Sequence, residues 1–172
     1  MSFSLVPDHT CRAYSDVTAA FLRRRGVRLL LCDLDYTLAP KSCPRPDAAV
    51  LAWIDGMKAA GIRVMILSNN RSSKRVETFC RELGITYVGH AGKPATRGYR
   101  EAMAQAGVSP SETAMLGDKL LTDVLGARRS GILTLMVEPA GGPRTTWQKV
   151  LHGLQAPFKR IAKGDLTDES FC

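Results

Sequence analysis

A chain of 172 residues, 45% of them hydrophobic, has the size of one domain around one core. No window of it approaches the roughly 18 uncharged apolar residues of a membrane span. Its formal net charge of +8 favours anionic partners, yet 6% aromatic residues and no basic motif interleaved with aromatics argue against nucleic acid. Five cysteines, at 11, 32, 43, 80 and 172, form no CxxC pair, which speaks against a zinc site or a disulfide framework. The N-terminus lacks the charged-then-apolar pattern of a secretory signal, so the expected location is cytoplasmic, with free thiols.

In chain order, residues 1–13 form an irregular lead with a turn at Pro7-Asp8-His9-Thr10. Ser15-Asp16 opens a short helix through Arg25 that Gly26 ends. Residues 28–32 are nearly all apolar, the pattern of a strand in a sheet buried on both faces. Pro44 and Pro46 precede a helix over 47–60 closed by Gly61. A strand over 63–67, a helix over 72–83 closed by Gly84 and a short strand over 85–88 follow. A helix over 94–106 stops at Gly107, and Ser109-Pro110 leads into a strand over 113–116. A helix over 119–130 then ends at Gly131, before a last strand over 132–137. Such alternation with short connections predicts an α/β fold of Rossmann-like class, with a mostly parallel sheet between helical layers.

Ala140-Gly141-Gly142-Pro143 is a joint, dividing a core over 1–140 from a tail over 141–172. Trp147, Leu151, Leu154, Phe158 and Ile161 recur at helical spacing and make a narrow apolar stripe. Pro157 disfavours one continuous helix, by about 3 kcal/mol, so two short helices are expected. Between Pro143 and Lys163 there are basic residues and no acid. The stripe packs either on the core or on a membrane surface, and both readings stand at this point.

The segment Leu29-Leu30-Leu31-Cys32-Asp33-Leu34-Asp35-Tyr36-Thr37 delivers two carboxylates, two residues apart, at the polar end of an apolar run. On an extended backbone such residues point to one side, and like charges held close call for a cation, a proton or donors. The pair therefore predicts a bound metal or acid–base work. A lone Asp there would more simply cap a helix or a turn, but partners recur at other strand ends. Ser68 follows one strand, Lys93 stands in Gly92-Lys93-Pro94, and Gly117-Asp118-Lys119-Leu120-Leu121-Thr122-Asp123 follows another.

Taken in order, DxDxT, Ser, Lys and GDxxxxD resemble the four-motif signature of the haloacid dehalogenase-type (HAD) phosphohydrolases, over about residues 29 to 137. The chain is also similar to the YqeG-type phosphatase family, a capless group that includes phosphatidylglycerophosphate phosphatases. Leu5-Val6-Pro7-Asp8-His9, Ser68-Asn69-Asn70 and the run Gly117 to Gly126 carry that likeness. Tyr36 departs from it, standing where such families usually have Asn. Intervals of 35 positions from Asp33 to Ser68 and 25 from Ser68 to Lys93 leave no room for a cap domain.

The resemblance implies a Mg²⁺-dependent phosphate monoester hydrolase with Asp33 as nucleophile and Asp35 as general acid, then base. Neighbouring carboxylates are expected to keep Asp35 protonated at the start. It implies Mg²⁺ on Asp33, Asp118, Asp123 and the Asp35 main-chain carbonyl, and phosphate held by Thr37, Ser68, Asn69 and Lys93. HAD dehalogenases and phosphate-pumping ATPases lack an acid at the second position, so Asp35 points to a phosphatase. The expected substrate is phosphatidylglycerophosphate or a related phospholipid, with peripheral contact at the inner membrane face. A soluble sugar phosphate, nucleotide or phosphoprotein is the alternative substrate, and a phospho-receiver or an anion-binding module the alternative without enzyme activity. A receiver, however, carries its phosphorylated Asp after a middle strand, where this chain has Ser68. Oligomeric state is not encoded legibly.

Overall fold

Apolar residues at consecutive strand positions must point to alternate faces, so a run such as Leu29-Leu30-Leu31-Cys32 needs cover on both sides. The computed structural model, which describes residues 5–70, 73–140 and Gly153, supplies it. Leu30 and Cys32 belong to one core with Phe21, Ile54, Val64, Phe79 and Leu116. Leu29 and Leu31 belong to a second with Met65, Tyr99, Ala102, Met103 and Met115. Helices α1 (Ala19–Arg24), α2 (Ala48–Ala59) and α3 (Ser73–Leu83) cover the first face. Helices α4 (Arg97–Ala106) and α5 (Leu125–Arg129) cover the second.

Between these layers lie β1 (His9–Cys11), β2 (Leu29–Cys32), β3 (Arg63–Leu67), β4 (Thr86–Val88), β5 (Thr113–Gly117) and β6 (Leu133–Val137). They form one sheet in the order β1-β6-β5-β2-β3-β4, every pair parallel. This is the expected three-layer Rossmann-like architecture. Among the described residues no cap domain interrupts it and no helix is long and apolar enough to cross a membrane. The tail over 141–172, with the stripe from Trp147 to Ile161, lies outside the described residues apart from Gly153.

Four local expectations need correction. Residues 7–10 do not make a turn: His9–Cys11 is an edge strand on β6. Asp8 locks it there, accepting from the Thr134 amide at 2.9 Å and hydroxyl at 2.8 Å and pairing with Arg128 at 2.8 Å. The first helix is two pieces. Asp16 accepts from the Arg12 and Ala13 amides beside a single 3₁₀ turn, and Thr18 caps α1 through the Phe21 amide. Helix α4 begins at Arg97 rather than 94, after a segment in which the Asn69 side chain holds the Lys93 main chain. The expected helix over 119–130 opens as a π-helical turn, Leu120–Val124, before α5.

Tyr36 adopts φ +67°, and its amide donates to the Ala39 carbonyl at 2.9 Å in the loop after β2. A left-handed backbone costs a Cβ-bearing residue about 1–2 kcal/mol, and Asn bears that cost better than Tyr. Tyr36→Asn is therefore expected to raise the urea midpoint, by about 1 kcal/mol of stability. A lower midpoint would mean that the half-buried ring contributes more than the backbone conformation costs.

Candidate active site

Four adjacent strands end on the same side of the sheet, and each releases a polar residue there. Asp33 follows β2, Ser68 follows β3, Lys93 lies beyond β4 and Asp118 follows β5. Cys32 stands opposite both Ile66 and Leu116, so Asp33 lies one step past that level and Ser68 and Asp118 two. The chain leaves β2 towards β3 on one side and returns as β5 on the other. A crevice at such a switch point is where open α/β sheets take ligands.

In that crevice one carboxylate oxygen from each of Asp33, Asp118 and Asp123 lies within 4.8 Å of the others. All three side chains are buried, as are Lys93, Ser68 and Thr37. Lys93 Nζ bridges Asp33 and Asp123 at 2.7 Å each. Lys119 Nζ, half-exposed, bridges Asp33 at 3.3 Å and Asp118 at 2.8 Å. Three acids meet two ammonium groups, leaving one net negative charge for a further cation. Oxygen-only donors at this spacing suit a hard divalent ion.

The two lysines also divide the acids by proton affinity. Burial pushes Asp33 up, but Lys93 and Lys119 outweigh it and hold the carboxyl below its ordinary range. Asp118 is pushed up to about 6, mainly by burial, with Lys119 opposing and the other two acids adding to the rise. Lys93 stays charged: burial favours the amine, but Asp123 and Asp33 reverse that and raise its pKa. A nucleophile needs the free carboxylate, and Asp33 is the acid whose surroundings hold it ionised.

Other anticipated residues have different neighbours. Asp35 lies past the end of β2, in a loop whose Ala39 bridges back to it. Its side chain meets Arg75 and, at 3.9 Å, Lys41. Thr37 donates to Asp118 at 3.4 Å. Ser68 Oγ accepts from the Asn70 amide at 3.1 Å. Asn69 brackets the Lys93 main chain, accepting from its amide at 2.8 Å and donating to its carbonyl at 2.9 Å.

Three supports were not placed by sequence reasoning. Lys119, whose position after Asp118 suits a contact to phosphate and a helix-start lysine equally, joins the acid cluster itself. Tyr99, buried on α4, donates its hydroxyl to the Thr122 and Asp123 carbonyls at 3.2 Å and so braces the π-helical turn. The third is space. A Cβ at Gly117 would run into the Asp123 carboxylate, and one at Gly126 would come within 2.6 Å of the Tyr99 ring. Tyr99 left a trace in its spacing with Ala102 and Met103 on one helix face, whereas Lys119 and Gly117 left only their places in the GDxxxxD motif.

Comparison with known proteins places this geometry among relatives. The sequence profile of the haloacid dehalogenase-like hydrolases matches residues 13–131. The probable phosphatase YqeG of Bacillus subtilis is 34% identical over 134 residues, covering 78% of this chain and 77% of that protein. The chloroplastic phosphatidylglycerophosphate phosphatase 1 of Chlamydomonas reinhardtii is 29% identical over 126 residues, 69% of this chain and 47% of the other. Among solved structures, the cobalt-bound deoxy-D-mannose-octulosonate 8-phosphate phosphatase of Haemophilus influenzae superposes with TM-score 0.53 at 18% identity. That match covers 79% of this chain and 91% of the other, and shows a common fold.

Proposed function

Because the chain belongs to the haloacid dehalogenase-like hydrolases, as a phosphatase related to the YqeG type, we propose that Asp33 is its nucleophile and a phospholipid monoester its substrate. The observation that carries this reading is the buried cluster of Asp33, Asp118 and Asp123 at the strand ends, with Lys93 across it. A phosphate monoester resists attack because its oxygens are anionic and its alkoxide leaves poorly. An Asp33 carboxylate oxygen attacks phosphorus, the bond from phosphorus to the alcohol oxygen breaks, and an aspartyl-phosphate forms. Asp35, entering with a proton, delivers it to the departing alkoxide. Water then attacks the phosphorus, Asp35 takes its proton, and the bond to Asp33 breaks to restore the carboxylate. Lys93 and the Ser68 hydroxyl bind the phosphoryl oxygens, and Thr37 orients Asp118. Asn69 fixes the Lys93 backbone from which the ammonium reaches in.

Asp33, Asp118 and the Asp35 carbonyl, with Asp123 beside them, would hold Mg²⁺, and the ion would supply positive charge against the acids and the incoming phosphate. Phosphatidylglycerophosphate or a related lipid is supported by the name of the Chlamydomonas relative, by the net charge of +8, and by the lack of a cap over the described crevice. Of the two readings of the apolar and basic tail over 141–172, docking at an anionic headgroup layer is the one that fits this substrate.

The test is a panel of phosphate esters assayed with purified protein, including phosphatidylglycerophosphate in mixed vesicles. Vesicle binding is expected to be reversible and to weaken with salt, because such contacts are screened over roughly 8 Å at physiological ionic strength. A soluble sugar phosphate, nucleotide or phosphoprotein turned over more than about tenfold faster would replace the lipid as substrate. The chemistry at Asp33 would stand.

A further inference from the structure

The acid loop, residues 33–47, carries Asp35 without a strand or helix of its own beyond the single bridge to Ala39. Leu34, Leu38 and Ala39 anchor it to the core. Those apolar contacts fix the depth of the loop but not the direction of a carboxylate on its outer side. That direction comes from α3. In the helix's first turn, Arg75 lays its guanidinium across the loop, with Nη1 on Asp35 Oδ1, Nη2 on the Pro40 carbonyl at 2.9 Å and Nε on the Cys43 carbonyl at 3.0 Å. Its carbon centre lies 4.9 Å from the centroid of the Phe79 ring, one helical turn on. Both side chains are largely buried, Arg75 with 17% exposed and Asp35 with 15%.

All three sides of a rigid planar fork are therefore engaged, on Asp35 and on two main-chain oxygens of its own loop. A lysine presents no such fork, having one point charge on a flexible stem. Lys41, 61% exposed and 3.9 Å from Asp35, adds a solvent-screened contact. Among the described residues Arg75 is thus the group that sets where the Asp35 carboxylate stands.

We propose that Arg75 is a positioning residue that acts through Asp35, holding the acid where it passes a proton to the leaving oxygen and then takes one from the attacking water. The inference rests on the reading of Asp35 as the proton-transferring group. Its signature is dependence on the leaving group. An alkoxide needs that proton and a nitrophenolate does not, so displaced Asp35 slows phosphoenzyme formation from alkyl esters selectively. Both esters then share the same hydrolysis of the aspartyl-phosphate, which also needs Asp35.

The experiment compares Arg75→Met, Arg75→Lys, Asp35→Asn and the double variant Asp35→Asn with Arg75→Met, on glycerol 3-phosphate and p-nitrophenyl phosphate with Mg²⁺. Rapid mixing separates phosphoenzyme formation from hydrolysis, and circular dichroism monitors folding. Arg75→Met should slow formation from glycerol 3-phosphate by about 10²-fold, with KM changed by less than about threefold. Formation from p-nitrophenyl phosphate should slow by less than about tenfold, leaving a nitrophenol burst before a slow steady state. Arg75→Lys should not restore the alkyl ester, and the double variant should be no slower than Asp35→Asn.

Equal losses on both esters, losses that multiply in the double variant, or full rescue by Arg75→Lys would overturn the positioning role and leave Arg75 a structural clamp. Should Arg75→Met fail to fold, the same ester comparison made with Arg75→Lys decides. Failure of the underlying reading has a separate mark: Asp35→Asn would match the parent protein on glycerol 3-phosphate.

Discussion

Asp33→Asn is expected to lower turnover by on the order of 10⁴-fold or more while leaving the fold in place. The amide has nearly the size of the carboxylate but cannot attack phosphorus as an anion, and nothing else in the crevice is placed to do so from the end of β2. Asp33 is the acid that Lys93 and Lys119 jointly hold ionised, which is the state the reaction needs. Folding should tolerate the change. Removing one of three clustered carboxylates relieves repulsion between Asp118 and Asp123 and their neighbour, which offsets weakened pairing to the two lysines. The measurements are kcat on a phosphate ester, mass spectrometry of acid-quenched protein for the phosphoryl adduct on Asp33, and a thermal melt. A fully active Asp33→Asn protein would eliminate the covalent route.

How far the sequence alone carries the argument depends on the range of the interactions involved. The strand over 63–67 appears in the structure at the same bounds, and those over 28–32, 113–116 and 132–137 differ by one residue. Each is a mostly apolar run of four to six residues between turn residues, a signal written locally. Asp33, Asp118 and Lys93 were legible because each comes after the end of a different strand, and Asp123 through its place in the GDxxxxD motif. Other parts were hidden because their cause lies elsewhere in the chain. The edge strand at His9 exists through partners about 126 residues away, so a local turn preference at Pro7-Asp8 was misleading. Arg75 lies 40 residues from Asp35, and on a helix rich in charge it looked like solvated surface. The π-helical turn at Leu120 follows from a contact requirement: Asp123 must reach both Lys93 and the Lys119 amide while Tyr99 fills the space behind it. Helical periodicity says nothing of such a bulge.

Chelation is the second perturbation expected to have a very large effect: activity should fall by at least about 10³-fold and return with Mg²⁺. Without a divalent ion the crevice keeps a net negative charge beside Asp33, and a phosphate dianion is repelled from the group that must attack it. Asp118→Ala should reproduce the loss, since it removes a ligand while leaving Asp33 in place. The dependence on pH has a definite sign. Asp118 would ligate as a carboxylate, and burial raises its pKa to about 6, above the ordinary value. Above pH 6 the ligand is ready. As pH falls below 6 a proton must first be displaced, so Mg²⁺ affinity should weaken about tenfold per pH unit. Asp33 adds nothing to that slope until lower pH, because the two lysines hold it below its ordinary range. Titration calorimetry with Mg²⁺ at pH 7.5 and pH 5 tests the slope without any turnover, and Asp118→Asn should reduce it to what Asp123 contributes, whose pKa burial also raises. Undiminished hydrolysis in excess chelator, with metal content shown to be nil, would withdraw the divalent ion and leave Lys93 and Lys119 as the only cations serving the phosphate among the described residues.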